Sequence, residues 1–150
     1  MRTAIQLENT GNGIVDSMYI TDATFGADRA ARVAHIGKCV SLDPGSVEGA
    51  AKLSEAGEPI HGVLENVSAK GDTGGVVRSG YKRVTYTGTA PVVGATDGTG
   101  HVIASATDGV VTRCSGTWTA AEVAQGPKKV VSVRTSDTTC VIDLGFHSLS

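Results

Sequence analysis

The chain has 150 residues, a formal net charge of -2 and 19% charged residues, a length that suits one domain with a sizeable core. No apolar run approaches the roughly 18–20 residues that span a bilayer, which argues against an integral membrane protein, and no basic excess is present to bind phosphates, which argues against nucleic acid as the main partner. Gly accounts for 20 residues, nearly twice its usual share of roughly 7%. With many Val and Thr, that composition points to short strands joined by tight turns.

The N-terminus, MRTAIQLENTGNG, lacks the basic, apolar and small-residue order of a secretion signal. Residues 1–30 have weak periodicity and isolated hydrophobes at Ile14, Tyr19, Ile20 and Phe25. This stretch reads as an extended arm or an edge strand, and the division adopted is an arm over 1–30 and a β-rich domain over 31–150. Deleting residues 2–25 is then expected to leave a folded domain. Asp28 is a candidate N-cap for one or two helical turns, with Ala30, Val33 and Ala34 at helical spacing.

From Gly37 onward the pattern is short strand, turn, short strand. Ile36, Val40 and Leu42 share a face before the turn Asp43-Pro44-Gly45. Further strands are expected over Val47–Leu53, Ile60–Val67, Val76–Thr87 (one long or two short), Pro91–Ala95, His101–Ala106 and Val110–Cys114. Gly71–Gly75 reads as a turn, and Asp97-Gly98 and Asp108-Gly109 read as hairpin signals. Lys129–Thr135 and Thr138–Leu144 alternate, with Val131, Val133, Cys140, Ile142 and Leu144 facing inward. Thr119-Ala-Ala-Glu122 is a capping-box sequence that starts a short helix, and Gly126-Pro127 ends it. The whole predicts an all-β fold: a compact β-sandwich or barrel-like domain with one short helix and an extended N-terminal arm. Its core is expected from Val40, Leu42, Leu53, Ile60, Leu64, Val77, Val84, Val93, Val102, Val111, Val131, Val133, Ile142 and Leu144.

The residues that carry chemistry elsewhere are present but not assembled. His35, His61, His101 and His147 lack short metal-ligand spacing, and Cys39, Cys114 and Cys140 form no C-x2-C pair. An odd, widely spaced cysteine set fits a reducing compartment better than a disulfide framework. Asp72-Thr73-Gly74 matches the aspartic-protease triplet, but the flanking Asn66–Gly71 is not the apolar strand those enzymes place before it. Asp97 and Asp108 precede glycines and read as turn formers rather than as acid–base carboxylates. Arg78, Lys82 and Arg83 fall on different faces of a strand, which splits the basic groups. No catalytic, cofactor-binding or metal-ligating residue is assigned, no cofactor is expected, and the chain reads as a non-enzyme. Trp118, the single tryptophan, is read as a core anchor or a subunit-interface anchor.

One longer stretch has a family likeness. Ala51-Lys-Leu-Ser-Glu-Ala-Gly-Glu-Pro-Ile-His-Gly-Val-Leu64 leads into Val67–Asp72, Val76-Val-Arg-Ser-Gly80 and Thr89-Ala-Pro-Val-Val-Gly-Ala-Thr-Asp97-Gly98, and Val130–Leu144 closes the domain. Over roughly residues 36–145 this resembles the small β-rich capsid decoration (cement) proteins of tailed bacteriophages. The N-terminal 30 residues and Val110–Gln125 lie outside the resemblance. It implies a structural virion protein on the capsid exterior, made in the host cytoplasm, that binds the major capsid protein and stabilises the assembled head. It also implies self-association, as a homotrimer first and a dimer second, with no nucleic acid or membrane partner. Apolar residues outside the alternating strands, Ile14, Tyr19, Ile20, Phe25 and Trp118, are the expected capsid or subunit contacts. The alternative is a carbohydrate- or receptor-binding β-module of a tail fibre or adhesin. Only 4% of the chain is aromatic, which disfavours stacking on sugars. A small enzyme on a β-barrel would need His61, His101 and Asp108 to converge.

Overall fold

Ten short strands build two sheets in a computed structural model that describes residues 15–22, 25, 28–46, 48–68 and 72–145. The first sheet takes β1 (Val15–Tyr19), β2 (Cys39–Leu42), β3 (Ala51–Leu53), β4 (Gly62–Val67) and β5 (Thr73–Val77) in the spatial order β1-β5-β4-β2-β3. The second is a closed barrel of β6 (Tyr81–Thr87), β7 (His101–Ala104), β8 (Val111–Arg113), β9 (Lys128–Arg134) and β10 (Thr139–Asp143), in the order β10-β6-β8-β7-β9. Every named pairing is antiparallel except β6 with β8. The chain is all-β, as its Gly-, Val- and Thr-rich composition predicts.

The two sheets share a wall. Alternation along β2, β4 and β5 sends Cys39, Val63 and Val77 into the barrel core, with Val84, Tyr86, Val102, Val111, Val130, Cys140 and Ile142. Their neighbours Val40, Leu64 and Val76 face the other way and pack with Met18, Ile20, Phe25, Ala51 and Leu53 in a second core. Strands buried on both faces carry near-continuous apolar runs instead of clean alternation. Backbone bonds join the sheets as well: Cys39 N–H donates to Gly109 O, and Gly109 N–H to Ser54 O, each at 2.9 Å.

Residues 15–25 correct the expectation of an arm outside the core. Val15–Tyr19 is an edge strand paired with β5, Ile20 bridges Ala51 in parallel, and Ile20 and Phe25 are buried. Met18, Ile20 and Phe25 fill the open side of the second core, which β2, β4 and β5 alone would leave wet. Residues 1–14, including Ile14, lie outside the described residues.

Among the described residues two short α-helices form instead of one. In α1 (Arg29–Ala34), Asp28 caps the N-terminus by accepting from Ala31 N at 2.7 Å. Its anchor is not an apolar stripe, since Val33 is exposed, but the buried His35 at its end, whose ring meets Phe25 edge-on at 5.2 Å. In α2 (Ala120–Ala124) the capping box is complete, and Gly126 follows in a left-handed conformation.

Several strand assignments shift. Gly71–Gly75 is not simply a turn, because Thr73 opens β5. Gly74 and Gly75 belong in that strand because a Cβ on them would press on the Leu64 and Asn66 side chains of β4. Pro91–Ala95 is a loop rather than a strand, and Val93 is exposed rather than buried. Leu42, placed in the core by alternation, ends β2 with its side chain in solvent. In β9 the inward set is Val130 with a partly buried Val133, not Val131. The partners explain it: Val141 faces Ser132 while Ile142 faces Val130, so Val131 is the extra residue of a bulge, and the inward parity changes there.

Candidate functional site

The barrel's loops gather exposed apolar side chains at the turn Val92–Ala95, the segment Asp97–His101 and the segment Cys114–Val123. Val92 N–H donates to Thr99 O at 2.8 Å and Ala95 N–H to Val92 O at 3.2 Å. Gly94 takes the positive φ of 83° that the corner needs, so Val92 and Val93 stand at the tip. They are 49% and 51% exposed, Trp118 is 37% and Val123 59%.

The platform under them is rigid for identifiable reasons. Asp97 caps the 3-10 turn Gly98–Gly100, accepting from Thr99 N at 2.9 Å and from the Thr99 hydroxyl. These bonds, the hydroxyl first, hold the Asp97 carboxyl below its ordinary value. A Cβ on Gly98 would collide with Ser115 O, and one on Gly100 with Ala95 O. The expected Asp97-Gly98 hairpin is thus a close backbone crossing that locks the three segments together. His101 donates from Nδ1 to Asp97 O at 3.1 Å and meets the Trp118 ring in a T-shaped contact at 4.9 Å.

Glu122 fixes the other side of Trp118. Its Oε1 accepts from Ser115 N at 2.8 Å and lies 2.7 Å from the Ser115 hydroxyl, while Oε2 accepts from Thr119 N at 3.2 Å. Thr119 Oγ1 accepts in turn from Glu122 N at 3.1 Å. The Ser115 backbone bond, then its hydroxyl, lower the Glu122 pKa. One carboxylate therefore clamps the loop on both sides of the indole.

Of the expected contact residues, Trp118 lies in this cluster and Tyr19 is exposed on β1. Ile20 and Phe25 are core residues and cannot offer their side chains to a partner. Val92, Val93 and Val123, also exposed, were not among the expected contact residues. Pro91-Val-Val-Gly94 carries turn residues at both ends, a signal that favoured a turn over a buried strand. For chemistry, no group of three His, Cys, Asp or Glu side chains among the described residues could hold a metal ion. The buried thiols are held protonated: burial pushes Cys39 up to about 12 and Cys114 and Cys140 up to about 11. Lys82 points inward beside Val84, with Nζ 3.4 Å from Glu65, while Arg83 lies on the other face, where Nη1 bonds the Thr139 hydroxyl. The basic groups of β6 therefore form no common patch.

A second hollow, about 280 Å³, lies beside His61 and is lined by Ser41, Leu42, Pro44, Glu58 and Pro59. Burial lowers the His61 pKa, and Glu58 is held by Lys52 at 2.5 Å. That pairing engages the one carboxylate in the lining and leaves a mostly apolar recess. No helix among the described residues is long and apolar enough to cross a membrane. No family model, curated protein or solved structure matches this chain.

Proposed function

We propose that this chain is a non-catalytic structural protein that decorates the outside of a tailed-phage head and stabilises it by binding the major capsid protein. The observation that carries the reading is the exposure of Val92, Val93 and Trp118 on loops tied by backbone hydrogen bonds, and of Val123 on α2. A pre-organised apolar surface loses little entropy on docking, which suits binding to a large rigid shell. Many copies on one lattice then stabilise it without strong single contacts. The likeness of residues 36–145 to decoration proteins supports the same reading.

The test uses heads of the encoding phage, expanded without this protein, in a co-sedimentation and heat-resistance assay. Wild-type chain should co-sediment and raise the temperature at which heads release their contents. Trp118→Ala and Val93→Asp should weaken binding at least about tenfold, the size of effect expected for an anchor worth over 1 kcal/mol. A full chain that neither binds heads nor changes their heat resistance rejects the proposal. Binding of wild-type chain to a glycan array, lost in Trp118→Ala, would favour the carbohydrate-binding alternative instead.

A further inference from the structure

The outer edge of β1 has a defined hydrogen-bonding valence. Ile20 N–H donates to Asp72 O at 2.6 Å, continuing the β1–β5 ladder, and Thr21 N–H donates the opposite way, to Ala51 O, at 2.9 Å. In an antiparallel pair the residues alternate between those facing the partner strand and those facing away. Asp16, Met18 and Ile20 therefore turn their backbone groups to β5, and Val15, Ser17 and Tyr19 turn theirs outward. Beyond their register with β5, no strand or bridge among the described residues pairs with the outward side of those three. Of the usual protections the edge has a single charge, Asp16, which Arg78 pairs; Val15–Tyr19 contains no Lys, no Pro and no bulge.

We infer that this edge pairs with the same edge of a second copy, antiparallel, about a twofold axis through Ser17. Three properties of the strand point to its own copy. Pairing Ser17 with Ser17 also sets Val15 opposite the partner's Tyr19 and Tyr19 opposite the partner's Val15, so each outward residue meets another outward residue. Shifting by one pair toward the C-terminus would require the Thr21 N–H, which Ala51 already holds. In the centred register the exposed side chains also match. A β-branched residue faces an aromatic at both ends, and the partner's Tyr19 comes beside a hollow lined by Val15, Ser17, Asn66, Val67 and Gly75. Charge agrees: Asp16 faces the partner's Met18 rather than another carboxylate, and each Asp16 carries its own Arg78 at 2.5 Å. The contact is isologous, so it closes at two copies and cannot build a trimer. It goes beyond the head-binding reading and stands without it.

Sedimentation of the full chain over a concentration series tests it. The wild type should be a reversible dimer. Ser17→Lys sets two ammonium groups opposite each other at an exposed position, and should raise the dissociation constant at least about tenfold with unchanged circular dichroism. Ser17→Cys should give a covalent dimer on oxidation, because facing residues of such a pair lie about 5.5 Å apart between Cα atoms, within disulfide range. Leu42→Cys, also exposed, should not. A wild-type monomer at every attainable concentration, a trimer, or a dimer unaffected by Ser17→Lys with no cross-link at residue 17 would overturn the inference.

Discussion

The closed barrel and the five-stranded sheet offer the outside world different things. In the barrel each strand has two neighbours, and what is left for contact is side chains on the loops: Val92, Val93, Trp118 and Val123. The first sheet has ends, and β1 offers backbone groups as well as Val15 and Tyr19. The same strand-forming composition thus yields a side-chain surface where the sheet closes and a strand template where it stays open.

The largest effect should come from removing the strand that distinguishes the open sheet. Deleting residues 2–25 takes away β1, Ile20 and Phe25, and should abolish cooperative unfolding of the first sheet rather than leave a folded domain. Phe25→Ala alone should cost about 3–5 kcal/mol in urea denaturation. A truncated chain that melts like the full one would show that β1 is dispensable and break the comparison.

Ile142→Ala probes the barrel in the same way and should cost about 2–5 kcal/mol, since Ile142 is fully buried. Because Cys39, Val63 and Val77 of the first sheet share that core, both sheets should unfold in one transition. Two separated transitions would mean that the shared wall does not couple them.

Acid should loosen the loop end of the barrel before it reaches the core. The folded pKa of Glu122 is depressed from 4.5 and that of Asp97 from 3.8. Their contribution is therefore present above those unfolded values and is lost as pH falls through the lower folded ones. Trp118, the single tryptophan, reports the change: its fluorescence should shift as pH is lowered from neutral past the ordinary carboxylate range and through the depressed folded values. Glu122→Gln should remove much of that shift, leaving the part due to Asp97. Emission unchanged across that range would show that the Glu122 clamp does not hold the indole.

The smallest effect is expected at Leu42. Although its alternation suggests a core role, it is 51% exposed, and Leu42→Ser should change stability by no more than about 0.5 kcal/mol. A larger cost would mean that Leu42 is covered in solution and would add a contact surface to the open sheet.

The sequence alone determined the all-β class, the capping box at Thr119–Glu122, the Asp28 cap, the Asp108-Gly109 turn and the inward set of β10. Each depends on neighbours a few residues away, so local patterning suffices. Alternation also separated Lys82 from Arg83 correctly. Only the tertiary structure decided whether residues 15–25 were arm or core, because an isolated Ile20 or Phe25 looks the same in either role until a distant sheet leaves a space for it. The β9 bulge shifted Val131 out of the inward set through a one-residue mismatch with β10, which no single strand encodes. The loops that carry Trp118 and the Val92-Val93 tip are tied together at Gly98 and Gly100, where the backbone meets Ser115 O and Ala95 O. The outward groups of β1, unpaired among the described residues, are likewise a property of the sheet, since they depend on which side β5 occupies and on where Thr21 N–H is already bound.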